Sequence, residues 1–135
     1  MKLGAAETVD PTADDPVTQI KALTGGTGPQ AAVETAGAGA AAAAALSALA
    51  PWGRLCLVGL GGALSIDVRQ QLSRQLTVMT SWSLSSVQQI ACADFIVRHR
   101  MPVDDLFTDR WTLDQAVEAY QDFDKQQGGK GAFIF

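Results

Sequence analysis

The sequence predicts an α/β fold, in which short apolar strands alternate with helices along one chain. Residues 55–60 (LCLVGL) form a continuous apolar run, which is typical of a strand covered on both faces. Residues 76–82 (LTVMTSW) are rich in side chains that favour strands. Elsewhere apolar residues recur with a helical period, as at Val87, Ile90 and Phe95.

The first half of the chain predicts a strand, a helix, a second strand and a second helix. Asp15 is a good helix cap and Pro16 fits the first turn. The long alanine run favours a helix with little side-chain bulk, which can lie close to a sheet. The first strand is expected at 7–10 and the first helix from Asp15-Pro16 to the stop at Gly25-Gly26. The second strand is expected at 31–36 and the second helix at 40–50.

The second half predicts two helices and a closing strand. One helix begins at Ser85 or Ser86 and closes before Pro102. Thr112 and Gln115 have the spacing of a capping box, which predicts the start of another helix. Its expected apolar face is Leu113, Ala116, Val117, Tyr120 and Phe123. The chain ends on the strand GKGAFIF, and Asp104, Asp105 and Asp109 are expected in a solvated loop.

Composition and charge exclude several classes of protein. Apolar residues make up 47% and charged residues 18% of the chain, which indicates a globular domain rather than disorder. The net charge is −4 and no run of Lys or Arg occurs, so neither nucleic acid nor a membrane surface is the expected partner. No leader peptide is visible and residues 38–50 are too short to span a bilayer, which predicts a cytoplasmic protein. Cys56, Cys92 and the single His99 cannot supply a zinc site, and we interpret the cysteines as buried thiols and His99 as a surface residue.

Gly37, Gly39 and Ala42 fit the spacing G-x-G-x-x-A of a loop that holds a dinucleotide pyrophosphate. Such a loop also requires an acidic residue at the end of the next strand, about 20 residues on. Here that strand, 55–60, runs into glycines, and the nearest acid beyond it is Asp67. The sequence therefore argues against a first phosphate loop at this position.

The order of several segments resembles the zinc-type, medium-chain alcohol dehydrogenases. The segments that carry the resemblance are LGAAETVD, LTGGTG followed by VETAG, GRLCLVG and the closing GGKGAFIF. It implies a partial Rossmann-like, mostly parallel sheet with flanking helices, whose first two strands and phosphate loop are missing. Residues 1–135 would form a single partial dinucleotide-binding domain of the C-terminal type, which begins where the family's second helix ends, at Lys2 to Ala5. The catalytic zinc domain would be absent.

The resemblance also implies which residues line the nicotinamide side of the cofactor cleft. These residues follow the fourth, fifth and sixth strands of the family's sheet, and they are Thr35, Gly37, Val58, Gly59, Leu60, Ser81 and Trp82. Ligands of open α/β sheets bind beyond the carboxyl ends of strands, which agrees with this placement. Lys130 matches a position where the family often has a cation near the cofactor phosphates. The alternatives are that Gly37 and Gly59 only terminate strands and that Lys130 is a solvated turn residue.

The implied function is that of the cofactor portion of an alcohol dehydrogenase-like oxidoreductase. Such an enzyme moves hydride between an alcohol and NAD or NADP, and zinc assists in the family although no ligands for it are expected here. We do not expect turnover by this chain alone. The alternative is a non-catalytic interaction module or truncated gene product that pairs through an open sheet edge. Pairing through Ala31 to Thr35 is expected because unpaired edges bind other strands. The resemblance implies in addition a homo-oligomer, most simply a dimer, that associates through Leu76 to Trp82.

Overall fold

The computed structural model describes residues 4–125 and 128–135. The chain divides into two compact units, Met1–Ser83 and Leu84–Phe135, which are described separately below. The helix end expected at Lys2 and Leu3 lies outside the described residues.

The first unit is built on a three-stranded parallel sheet. The strands are β1 (Ala31–Glu34), β2 (Arg54–Leu57) and β3 (Thr77–Thr80). They lie in the order β1-β2-β3, so that β2 is central and β1 and β3 are edges. This arrangement confirms the predicted partial Rossmann-like fold, because parallel strands joined by helical crossovers are its defining feature.

Three α-helices accompany this sheet. They are α1 (Pro16–Leu23), α2 (Gly39–Ala48) and α3 (Val68–Gln71), and a 3-10 turn continues α3. The alanine-rich α2 packs against β1 and β2, and α1 packs against α2. Small side chains allow this close approach, since Ala42 and Ala48 are both buried.

The core of the first unit lies between α2 and the central strand. Leu46, Leu49 and Leu55 form the buried cluster, and Leu49 and Leu55 are almost fully enclosed. Arg74, in the 3-10 turn after α3, stabilises the C-terminal end of α2 in the same region. Its Nη2 donates to the carbonyls of Leu46 (3.1 Å), Ser47 (3.3 Å) and Leu49, which satisfies carbonyls that a helix end leaves unpaired.

The second unit contains two helices and a two-stranded parallel sheet. In chain order its elements are α4 (Ser86–Arg98), β4 (Phe107–Trp111), α5 (Ala116–Asp124) and β5 (Lys130–Phe133). β4 pairs with β5, with an irregularity between Phe107 and Asp109. The capping box predicted at Thr112 and Gln115 is present, and Ser85 forms a second one with Gln88.

The apolar face predicted for the last helix is largely exposed in this unit. On α5 the buried residue is Ala119, whereas Leu113, Val117, Tyr120 and Phe123 are exposed. The predicted face is apolar in sequence, but in this unit burial is confined to the small side chain of Ala119.

Two local predictions also differ from the structure. Glu7 to Asp10 form no strand, because no described strand lies beside them, and the Asp10 carboxylate instead accepts from the Thr12 amide at 2.9 Å. Asp109 lies in β4 rather than in a solvated loop, and its carboxylate accepts from the Thr108 hydroxyl at 2.6 Å. Asp104 and Asp105 lie in a 3-10 turn, Val103–Leu106. Within the described residues, no helix has the length and hydropathy to cross a bilayer.

Candidate functional site

The carboxyl ends of the three parallel strands in the first unit meet at one edge of the sheet. Glu34 is aligned with Leu57, and Leu57 with Thr80. The next amides continue the ladder, since Val58 N donates to Glu34 O at 2.8 Å and Ser81 N donates to Leu57 O at 3.0 Å. We call the residues that follow the strands (35–39, 58–62 and 81–82) the carboxyl edge. It brings together every predicted site residue except Lys130.

Glycines allow the turns after β1 and β2 to pack backbone to backbone. A Cβ added to Gly59 would overlap the Gly37 amide nitrogen and lie 2.7 Å from Gly37 Cα. A Cβ added to Gly37 would overlap Leu60 O and lie 2.8 Å from the Leu60 carbonyl carbon. Gly37 also has a φ of +67°, which side-chain-bearing residues rarely adopt. These contacts account for both glycines through the packing of the two turns against each other.

Glu34 is a residue of this edge that sequence reasoning missed. It is 6% exposed, and its carboxylate Oε1 accepts from the amides of Ala36 (2.7 Å) and Gly37 (2.8 Å). The signal was present in the sequence, because an acid at the last position of an apolar strand directly precedes a turn with glycine. Carboxylates in that position can accept the unpaired amides of the turn.

The outward part of the carboxyl edge is open and mostly apolar. Leu60 is 80% and Trp82 is 72% exposed, and Thr35 and Ser81 are exposed beside them. A partly open cavity of about 80 Å³ is lined by Glu34, Gly37 and Gly59 among others, and it has room for a few waters but not for a nucleotide.

Comparison with known proteins settles the family. Residues 1–97 match the family model described as zinc-binding dehydrogenase. The chain belongs to this family. A comparison with curated protein sequences gave no match.

Solved structures of other dehydrogenases have the same fold as this zinc-binding dehydrogenase chain. The benzyl alcohol dehydrogenase of Acinetobacter calcoaceticus superimposes with a TM-score of 0.84 at 25% identity, covering 98% of this chain and 38% of that one. An alcohol dehydrogenase zinc-binding domain protein from Burkholderia ambifaria gives 0.85 at 26% identity, covering 99% and 37%. An NAD-dependent alcohol dehydrogenase gives 0.81 at 23% identity, covering 99% and 39%. The chain therefore spans less than two fifths of the length of these structures.

Lys130 belongs to the second unit of this dehydrogenase chain. It begins β5 opposite Phe107 and its side chain is exposed. It borders a cavity of about 380 Å³ whose other lining residues are uncharged: Val103, Leu106, Phe107, Phe123 and Gly131. Lys130 thus provides one point charge there, and no second cation lines this cavity.

The described residues do not fit the zinc ion that the family name implies. No three His, Cys, Asp or Glu side chains of residues 4–125 and 128–135 lie close enough together to hold a metal. Cys56 is half-buried in β2 and Cys92 is exposed on α4, so the expectation that both thiols are buried is wrong for Cys92. His99 is exposed and caps the C-terminus of α4, where its ring lies 4.1 Å from that of Phe95.

Proposed function

We propose that the chain is the cofactor-domain portion of an NAD(P)-dependent, alcohol dehydrogenase-like oxidoreductase, and that it is not catalytically competent alone. The observation that supports this best is the carboxyl edge of β1, β2 and β3, which aligns Thr35, Val58 and Ser81 side by side in a chain of the zinc-binding dehydrogenase family. In open α/β sheets this edge is where nucleotides bind.

The residues of the edge have distinct roles in this proposal. Leu60 and Trp82 offer apolar surface against one face of the nicotinamide ring and exclude water from it. The hydroxyls of Thr35 and Ser81 would form hydrogen bonds with the carboxamide or ribose. Lys130 lies outside this edge, in the second unit, and its proposed role of contributing a charge to the cofactor phosphates rests on the family resemblance alone. The bound cofactor supplies the hydride acceptor for oxidation of an alcohol.

Two features support the absence of independent turnover. The described residues contain no set of metal ligands. The amides of Ala36 and Gly37, which could bind a phosphate, are occupied by the Glu34 carboxylate. We further propose that residues 1–135 act as one partial dinucleotide-binding domain and that the protein functions in the cytoplasm.

Nuclear magnetic resonance titration tests the proposed ligand. The full ¹⁵N-labelled chain is titrated separately with reduced nicotinamide mononucleotide and with AMP. Because the edge corresponds to the nicotinamide side, the mononucleotide should shift the amides of Thr35, Gly37, Leu60 and Trp82, with a dissociation constant on the order of 1 mM. AMP should leave these amides unchanged, which makes it the matched control.

Shifts that are absent, or that AMP reproduces, would contradict the assignment of this edge to nicotinamide. An assay of NAD and NADP reduction with benzyl alcohol and ethanol accompanies the titration. We expect no rate above the protein-free control. Turnover by the purified chain would refute the proposed lack of competence.

A second candidate function is pairing with another chain through an open sheet edge. The observation that favours it is that β1 and β3 are both edge strands, and Val33 on β1 is 67% exposed. An apolar edge strand with unpaired backbone groups is a template for another strand. The partner would be a second copy of this chain or a complementary dehydrogenase chain, and a test of the first is given in the Discussion.

A further inference from the structure

Glu34 is the one buried charged side chain among the described residues. Burial of a carboxylate is costly unless hydrogen bonds compensate for the lost water. The proposed function gives the Glu34 side chain no direct contact with the ligand. The contacts that Glu34 makes within the protein therefore indicate its role.

The side chain of Glu34 holds the turn that follows β1. A single oxygen, Oε1, accepts from the consecutive amides of Ala36 at 2.7 Å and Gly37 at 2.8 Å. Hydrogen bonds to an ionised acceptor are stronger than neutral ones. They fix the direction of both peptide groups and hold Gly37 at its φ of +67°.

The backbone of Glu34 holds the turn that follows β2. Its carbonyl accepts from Val58 N at 2.8 Å and from Gly59 N at 3.0 Å. The two turns then contact each other directly, since a Cβ on Gly59 would lie 2.7 Å from Gly37 Cα. A displacement of one turn therefore displaces the other.

We propose that Glu34 is a positioning residue, which fixes the geometry of both turns from which Thr35, Gly37 and Val58 to Leu60 reach the ligand. This inference rests on the proposed function for its ligand, but the hold of Glu34 on the turns can be measured without any ligand. The same contacts predict that the turn after β1 does not bind phosphate. The chain's own carboxylate occupies the two amides, so the turn at 36–37 does not take a phosphate although its spacing resembles a phosphate loop.

The first arm of the test measures amide hydrogen exchange in the full chain. Glu34→Ala and Glu34→Asp remove or shorten the acceptor, whereas Glu34→Gln keeps an acceptor oxygen at the same reach. We expect exchange at Ala36 and Gly37 to rise at least about tenfold in the Ala and Asp variants and to stay within about threefold in the Gln variant. Glu7→Ala, at an exposed site, is the control and should change neither amide.

The second arm measures the affinity for reduced nicotinamide mononucleotide. Affinity should fall about fivefold or more in Glu34→Asp and be retained within about twofold in Glu34→Gln, because a misplaced turn loses contacts without a loss of charge at the ligand. If Glu34→Gln retains the affinity, Glu34 acts by positioning the turn. If Glu34→Gln loses it, the charge of Glu34 contributes to the affinity. The Asp variant keeps the test valid if Glu34→Ala does not fold.

The outcomes separate the two proposals. Unchanged exchange at Ala36 and Gly37 in the Ala and Asp variants overturns the role of Glu34. Faster exchange with unchanged affinity also overturns it as a positioning residue. If the wild-type chain binds no mononucleotide, the proposed function fails, and the exchange arm alone then decides whether the Glu34 side chain holds the turn at Ala36 and Gly37.

Discussion

Individual glycines of the first unit are glycine for different reasons. Gly37 needs both a left-handed backbone and a missing side chain, because Leu60 occupies the space where a Cβ would stand. Gly25, at the end of α1, has nearly the same φ of +64°, but nothing lies within 4 Å of its Cβ position. The pair therefore separates the cost of backbone conformation from the cost of steric overlap.

Replacing these two glycines by alanine should give unequal losses of stability. Gly25→Ala should lower the free energy of unfolding by about 1 kcal/mol, the cost of a left-handed residue with a Cβ. Gly37→Ala should lower it by about 3 kcal/mol or more, since the neighbouring turn must also move. Urea denaturation followed by tryptophan fluorescence measures both. Equal losses for the two variants would show that the contact with Leu60 is not close in solution.

At the scale of elements, the caps define where the helices begin more sharply than the apolar pattern does. Asp15 accepts from the Thr18 amide at 2.9 Å and from the Thr18 hydroxyl at 2.6 Å at the start of α1. These hydrogen bonds from the Thr18 side chain and backbone lower the pKa of Asp15 from its ordinary value of 3.8. A carboxyl whose pKa is lowered by folding stabilises the folded state above its unfolded pKa, and this contribution is lost as pH falls through the folded pKa.

The stability of the first unit should therefore decline in acid partly through Asp15. In Asp15→Asn the amide oxygen still caps the helix but does not titrate, so the decline below pH 3.8 should be shallower than in the wild type. Thermal melting followed by circular dichroism across the acid range measures this. Asp14→Asn, which replaces the neighbouring exposed acid, is the control and should keep the wild-type slope. Parallel wild-type and Asp15→Asn curves would contradict the role of the cap.

The ends of strands, unlike the starts of helices, could not be located from the sequence pattern. The apolar run predicted a strand over 55–60, but β2 covers Arg54–Leu57. The pattern does not distinguish ladder residues from the turn that follows, because Val58 and Leu60 are as apolar as the strand itself. Contacts of Gly59 with the neighbouring turn decide where the ladder ends.

At the scale of the whole molecule, open edges and exposed apolar residues stand out. Among the described residues, the sheet of the first unit ends at β1 on one side and at β3 on the other, and apolar residues on α4 such as Val87 and Ile90 are exposed. Proteins usually protect such surfaces with other strands or with a partner. The chain spans less than two fifths of the length of the related dehydrogenase structures.

A lysine on the edge strand should reduce self-association through β1. Val33 is 67% exposed, and Val33→Lys places a charge on the strand edge at little cost to folding. We expect the wild-type chain to exceed monomer mass as concentration rises and Val33→Lys to remain closer to a monomer, measured by size-exclusion chromatography with light scattering. Val117→Lys adds the same charge at a similarly exposed helical site, 73%, and should behave as the wild type. A wild-type chain that stays monomeric and stable would refute edge pairing.

The sequence by itself determined the alternation of strands and helices, the caps at Asp15 and Thr112, and the family. It also predicted the sheet edge at which the candidate site residues of the first unit lie. Those features depend on local chemistry and on the order of short segments, which a sequence displays directly. Tertiary structure alone decided that Glu7 to Asp10 form no strand, that Asp109 joins β4 and that α5 packs through Ala119. It also showed that the Glu34 side chain accepts from amides of the turn after β1 and that its carbonyl accepts from amides of the turn after β2. Each of these depends on which groups meet across the fold, and backbone pairing and burial are properties of neighbours distant in sequence.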